Sequence, residues 1–206
     1  MAFNINTFKA AGLQLGGARP SLFDVQVTPP SGLQLPDEVA ANKFIFTCRA
    51  SSIPASSIAP VEVPYFGRKI KLAGDRTFAD WSVTVMNDED YLVRDMFEQW
   101  SQRINHNEIN FKGEPSNLYK STDAIVTQYS KQGNGNAPIA IAQYQFIGLF
   151  PLEISAMELD WDSTNQIQTF NVTFAYDYYV NARSDFDQSA GASVRKIPRI
   201  QPVFEV

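Results

Sequence analysis

Residues 73–90 read Ala-Gly-Asp-Arg-Thr-Phe-Ala-Asp-Trp-Ser-Val-Thr-Val-Met-Asn-Asp-Glu-Asp. Gly74-Asp75 is a turn signal. Trp81, Val83 and Val85 alternate with Ser82 and Thr84, the period of a strand with one buried face. Asn87 stands where a helix N-cap belongs, with Asp90 three residues on as its capping-box partner. Leu92, Val93, Met96, Phe97, Trp100 and Ile104 then recur at helical spacing. The pattern predicts a helix over 88–104 that lies on a sheet by one apolar stripe, with Phe97 and Trp100 in the core. Trp81 is expected in the core beneath that helix. Asp88, Glu89 and Asp90 resemble a metal cluster, but at a helix start capping and the helix dipole account for them.

Working outward, 22–27 alternates as a strand, and Pro29, Pro30, Gly32 and Pro36 predict a long loop to about residue 42. Residues 43–49 read as a strand with Phe44, Phe46 and Cys48 on one face, and 51–57, holding Ile53-Pro54, as a turn. Short strands are expected over 60–64 and 66–72, the prolines placing the first at an edge or bulge. Downstream, 105–121 is polar loop, 123–129 a strand, 131–136 a glycine-bearing hairpin turn and 139–149 a long strand. Strands over 152–161 and 167–179 complete the pattern, joined through Ser163-Thr164-Asn165. Residues 1–19, with Gly16-Gly17, read as an arm, 20–182 as one domain and 183–206 as an extended tail. The fold class is mainly β: an antiparallel sandwich or barrel with one flanking helix.

The chain has 206 residues and a formal net charge of −5, with 19 % charged and 13 % aromatic residues. Soluble domains average about 25 % charged residues, so this surface is short of charge. The negative balance opposes a general nucleic-acid-binding surface, which needs Lys and Arg to replace counterions on phosphate. Cys48 is the single cysteine, so an intrachain disulfide is excluded. No membrane anchor or signal peptide is expected, because the first ten residues are polar and no apolar run has the length of a span. Enzyme chemistry finds no footing. His106 is the one histidine, Cys48 sits on an apolar face, and no nucleophile–base arrangement is visible. Neither a metal nor a cofactor is expected.

Two further patterns bear on function. Arg68, Lys69, Lys71 and Arg76 cluster near Asp75 and Asp80, and Asp160 and Asp162 flank Trp161. Salt bridges within the chain or to a neighbouring copy explain these better than nucleic acid or acid–base catalysis, so Arg68, Lys69, Asp75, Arg76, Asp80, Asp160 and Asp162 are candidate subunit-interface residues. Along 167–179, Phe170, Val172, Phe174, Tyr176 and Tyr178 share one face and Thr169, Asn171, Thr173, Ala175 and Asp177 the other. Along 139–149, Tyr144 and Phe146 oppose Gln143 and Gln145. Phe170 and Phe174 are core. The opposite faces are small, polar and nearly uncharged, although solvated strands usually carry Lys or Glu. Gln143, Gln145, Thr169, Asn171 and Thr173 are therefore candidates for a surface that lines a channel or meets another subunit.

Residues 73–90 and a second block, Glu158-Leu-Asp-Trp-Asp-Ser-Thr-Asn-Gln-Ile-Gln-Thr-Phe170, closely resemble the tail tube family of T4-like contractile-tailed bacteriophages. Smaller matches are Arg19-Pro-Ser-Leu-Phe23, Phe46-Thr-Cys-Arg-Ala50 with Ile53-Pro54, and Arg68-Lys-Ile70. The resemblance implies a β-sandwich with a flanking helix whose copies form hexameric rings. The rings stack as a tube inside a contractile sheath, their strands joined in a larger β-barrel around a lumen that DNA crosses. It also implies baseplate and tail-terminator partners, and a place in the virion tail after synthesis in the host cytoplasm. A tube protein of a type VI-like secretion or contractile injection system, or a baseplate tube initiator, is the alternative. The 28–42 insertion, the 131–136 turn and the tail beyond residue 183 exceed what the family core needs.

Overall fold

The computed structural model describes residues 17–30, 33, 37–112, 115–121, 123–134 and 137–181. The 1–19 arm falls almost wholly outside them, as do the 183–206 tail, residues 135–136 of the 131–136 turn and part of the 28–42 insertion.

Strands β1 (Phe23–Val27), β6 (Ala124–Asn134), β7 (Ala137–Ile147) and β10 (Tyr178–Asn181) form one antiparallel sheet in the order β1-β6-β7-β10. A second antiparallel sheet has the order β2-β5-β9-β8, from β2 (Cys48–Ala50), β5 (Trp81–Met86), β9 (Thr169–Ala175) and β8 (Phe150–Ile154). Among the described residues, strands β3 (Ser56–Tyr65) and β4 (Arg68–Phe78) pair only with each other. Among the described residues, three helices accompany them: α1 (Asp37–Thr47), α2 (Leu92–Ile104) and the single turn α3 (Ser116–Tyr119). The antiparallel, mainly β architecture is as the sequence predicts; the helix count is not.

The two sheets meet face to face. In β5 and β9, Trp81 lies opposite Phe174, Val83 opposite Val172 and Val85 opposite Phe170, all six buried. Trp81 stacks on Phe146 of β7, ring centroids 4.4 Å apart, and its indole N–H donates to the Ser52 carbonyl at 2.8 Å. Trp81 thus sits between the sheets. Beneath α2, Phe97 and Trp100 reach Phe174 at 5.7 and 6.4 Å, and the Trp100 indole donates to the Tyr119 carbonyl at 2.7 Å. Val93, Met96, Phe97 and Trp100 form the buried stripe that the helical spacing requires.

Residues 43–47, read as strand, belong to α1. Ala40 and Phe44, four residues apart, share its buried face, whereas Phe46 is 82 % exposed. Phe44 packs edge-on to Phe97 at 5.5 Å, so α1 docks on α2. The apparent alternation of Phe44, Phe46 and Cys48 conceals this, and the overlooked signal is Asp37-Glu38 directly after Pro36, a helix start.

The start of α2 also differs. The chain enters it through Tyr91 in the left-handed region (φ 55°), and Asp90 Oδ1 accepts the Leu92 N–H at 3.2 Å. No capping box forms, and Asn87 instead donates to Gln168 Oε1. Asp88 and Asp90 both pair with Lys43 of α1, so the acidic run ties two helices together. Lys43 holds the Asp88 carboxyl below the usual carboxylate range, helped by the Glu89 N–H.

The expected 152–161 and 167–179 strands are shorter, and residues 155–168 are an irregular loop. The last strand breaks at Tyr176-Asp177, where the chain passes from one sheet to the other. The Asp177 N–H bonds the Ile147 carbonyl, and its carboxylate takes Lys120 at 2.8 Å. This crossing turns Tyr178 outward and packs Tyr179 against the core, reversing the face expected from simple alternation. Gly148 faces the crossing at φ 72°, where an added Cβ would lie 2.1 Å from Asp177 Oδ2.

Candidate assembly surfaces

The β3–β4 hairpin is the most exposed ordered element. Its strands run longer than the expected 60–64 and 66–72, and Gly74-Asp75 lies within β4, not in a turn. Pro60 sits at a register shift, as a proline in a strand should. Gly74 is needed at that bulge, because a Cβ there would meet the Ala59 carbonyl oxygen at 2.5 Å. The real turn is Phe66-Gly67, both at positive φ (41° and 78°), a conformation that a bulky side chain rarely adopts. Phe66 is nonetheless there and 92 % exposed.

Pairing fixes the hairpin's two faces. Val61 lies opposite Leu72, Val63 opposite Ile70 and Tyr65 opposite Arg68, giving an apolar face ended by a guanidinium. Glu62 lies opposite Lys71 and Pro64 opposite Lys69, and Lys69 pairs with Glu62 at 2.7 Å on the charged face. Both faces are exposed, with only Gly74 and Phe78 of the hairpin half-buried. A two-stranded hairpin with an uncovered apolar face is marginal in water alone. Here its root is clamped: Phe78 packs on Tyr176 and Tyr179 at 5.9 and 5.5 Å, and Arg76 reaches Ser56.

The 155–168 loop is the second exposed apolar surface. Leu159 is 84 % and Trp161 100 % exposed, between the carboxylates of Glu158, Asp160 and Asp162. Asp160 Oδ1 accepts the Asp162 N–H at 3.1 Å, forming a local turn, and Asn165 takes a positive φ of 61°. A groove of about 560 Å³ beside it is lined by Arg49, Met86, Asn165, Gln166, Ile167 and Thr169.

The sequence-derived candidates fall into separate places. Arg68, Lys69, Asp75 and Arg76 lie on β4, Asp80 in the β4–β5 link, and Asp160 and Asp162 on the loop; all are exposed. The five polar strand residues do not share one surface. Gln143 and Gln145 are on β7, on the face opposite the buried Phe146, whereas Thr169, Asn171 and Thr173 are on β9 in the other sheet. With the sheets packed through Trp81 and Phe146, these two sets face away from each other. The outer face carrying Gln143 and Gln145 also bears Asp24, whose carboxylate accepts the Tyr129 hydroxyl at 2.6 Å. Burial, then that contact, pushes the Tyr129 pKa up to about 12.

Among the described residues, no three His, Cys, Asp or Glu side chains are grouped to hold a metal. His106 lies exposed just beyond α2. Burial pushes the Cys48 thiol up to about 12, which leaves it protonated and inert. No helix of the described residues is long and apolar enough to cross a membrane.

A family model described as phage tail tube protein matches residues 18–182. The chain belongs to the phage tail tube protein family. Similarity to individual members is extensive. It is 40 % identical to tail tube protein gp19 of Enterobacteria phage T4 over 164 residues, 79 % of this chain and 90 % of that protein. It is 22 % identical to the tail tube protein of Serratia phage KSP90, over 87 % of this chain and 98 % of that one. The fold recurs in a chain of the anti-feeding prophage baseplate at 11 % identity and TM-score 0.56, covering 82 % of this chain and 98 % of that chain. It recurs in a chain of the sheath/tube terminator of an extracellular contractile injection system at 14 % identity and TM-score 0.52, covering 80 % and 95 %. The exposed hairpin, the acidic loop and the open sheet edges are uncovered surfaces of this member.

Proposed function

We propose that this protein is a structural, non-enzymatic subunit of a phage tail tube, closing into hexameric rings that stack inside a contractile sheath. The β3–β4 hairpin carries the reading: a ten-residue and an eleven-residue strand with a fully exposed apolar face serve a domain that will be covered by another copy. Ring closure is supported by the β1-β6-β7-β10 sheet. Its four alternating strands leave edges β1 and β10 running in opposite directions, so β10 of one copy can continue antiparallel onto β1 of the next. Such head-to-tail pairing closes into a barrel and leaves no free edge.

In this arrangement the outer face with Gln143 and Gln145 lines the lumen. The four strands of that sheet carry one cation, Lys131, which gives passing DNA little to release counterions against. Thr169, Asn171 and Thr173 face the tube exterior or an adjoining copy. The tube domain spans 20–182, with 1–19 as an arm and 183–206 as an extension; sheath, baseplate and terminator proteins are the partners. Identity of 40 % to the T4 protein favours a phage tail over a secretion tube.

Sedimentation and negative-stain microscopy of concentrated full-length protein test this. Hollow tubes of stacked rings are expected. A chain that stays monomeric even with its baseplate and sheath partners refutes it.

A further inference from the structure

The hairpin and the loop are opposites in charge and alike in apolar exposure. Hairpin residues 56–78 carry Arg68, Lys69, Lys71 and Arg76 against only Glu62 and Asp75, a positive element on a chain of net charge −5. Lys69 is satisfied by Glu62, but Arg68 and Lys71 have no ion-pair partner among the described residues. Loop 155–168 holds Glu158, Asp160 and Asp162 and no Lys or Arg, and none of these carboxylates has an ion-pair partner either. Trp161, wholly exposed at the centre of the loop, has the shape and size of an interface anchor. The apolar face of the hairpin, from Val61 to Leu72, is the kind of surface that would cover it.

We infer that the β3–β4 hairpin of one copy docks on the 155–168 loop of a copy in the neighbouring ring, Trp161 packing on the hairpin's apolar face and Arg68, which ends that face, meeting Glu158 and Asp162. The inference rests on the tube reading and names the counter-surface that stacking uses. Each copy has one hairpin and one loop, so the contact is heterologous and repeats without closing, which is the symmetry of a stack. The apolar pairing removes both exposed patches from water. Arg68 can also lie over the indole face. The rim charges fix register and oppose the wrong pairings, hairpin on hairpin and loop on loop, because each of those brings like charges together.

Charge reversal tests it. Arg68→Glu, and separately Glu158→Lys with Asp162→Lys, alter exposed side chains and leave the Asp160 turn intact. Circular dichroism melts should match the unaltered chain. Each reversal should raise the protein concentration needed for tubes by about tenfold or more, and the combination of all three substitutions should restore most of it. In the unaltered chain, higher salt should likewise raise that concentration. If the unaltered chain forms no tubes, the tube reading itself fails. If it forms tubes and either reversal leaves them unchanged, or the combined variant is no better than its parents, the docking is wrong while the tube stands.

Discussion

Replacing Trp81 probes the junction between the two sheets. The side chain is 1 % exposed, stacked on Phe146 at 4.4 Å and tilted against Phe174 at 5.4 Å, with its N–H on the Ser52 carbonyl. Truncation of such an aromatic removes transfer energy and leaves a cavity, together costing about 3–5 kcal/mol. The hydrogen bond is a smaller part, about 1 kcal/mol net, since the exposed Ser52 end can turn to water. Trp81→Phe keeps a ring against Phe146 and loses the N–H, so it should cost about 1–2 kcal/mol, leaving roughly 2–3 kcal/mol between the two variants. Urea unfolding of dilute, unassembled protein, followed by far-ultraviolet circular dichroism, gives both values. A loss below about 1 kcal/mol for Trp81→Ala would place the residue outside the core. Equal losses for the two variants would mean that the hydrogen bond, not sheet-to-sheet packing, sets the energy.

Gly148→Ala should destabilise by about 2 kcal/mol or more, from its left-handed backbone and the collision with Asp177; a melting temperature unchanged within error would contradict the geometry of the sheet crossing. Cys48 should resist alkylation at pH 8 in the folded protein. Its pKa of about 12 leaves almost no thiolate there, and reactivity should appear only on unfolding or as pH rises toward that value; rapid native labelling would show an accessible thiolate. Gln143→Lys with Gln145→Lys should leave tubes intact and slow genome ejection, the slowing easing as salt rises. Absent tubes would put these residues between subunits, where unpaired lysines block closure, and normal ejection would put them outside.

The sequence patterns that survive in the structure are those whose neighbours settle the period. Trp81–Met86 alternates cleanly because one side faces a fully buried layer, and α2 shows its stripe for the same reason. Where the environment changes within an element, local reading fails. In 43–47, a helix buries Phe44 and exposes Phe46, a pair that strand alternation would place together. In 167–179, one aromatic run serves two sheets, and only the distant Ile147 carbonyl reveals the break. The hairpin's division is hidden in the sequence because Gly74 marks a bulge, while the true turn puts Phe66 where glycine or asparagine usually stands. The polar strand residues were legible as unusual, but their division between opposite faces depends on which strands become neighbours, a tertiary fact. The charges of 68–76 and 158–162 were visible in sequence; their separation onto two exposed surfaces was not.

The most direct test of the account is a cryo-electron microscopy map of the assembled protein that resolves side chains. It should show six copies per ring and β10 of each copy hydrogen-bonded to β1 of the next. The outer face of β1-β6-β7-β10, with Gln143 and Gln145, should line the channel, and each β3–β4 hairpin should be covered by another ring. A map with that sheet on the tube exterior, or with the hairpins standing free in solvent, would contradict it.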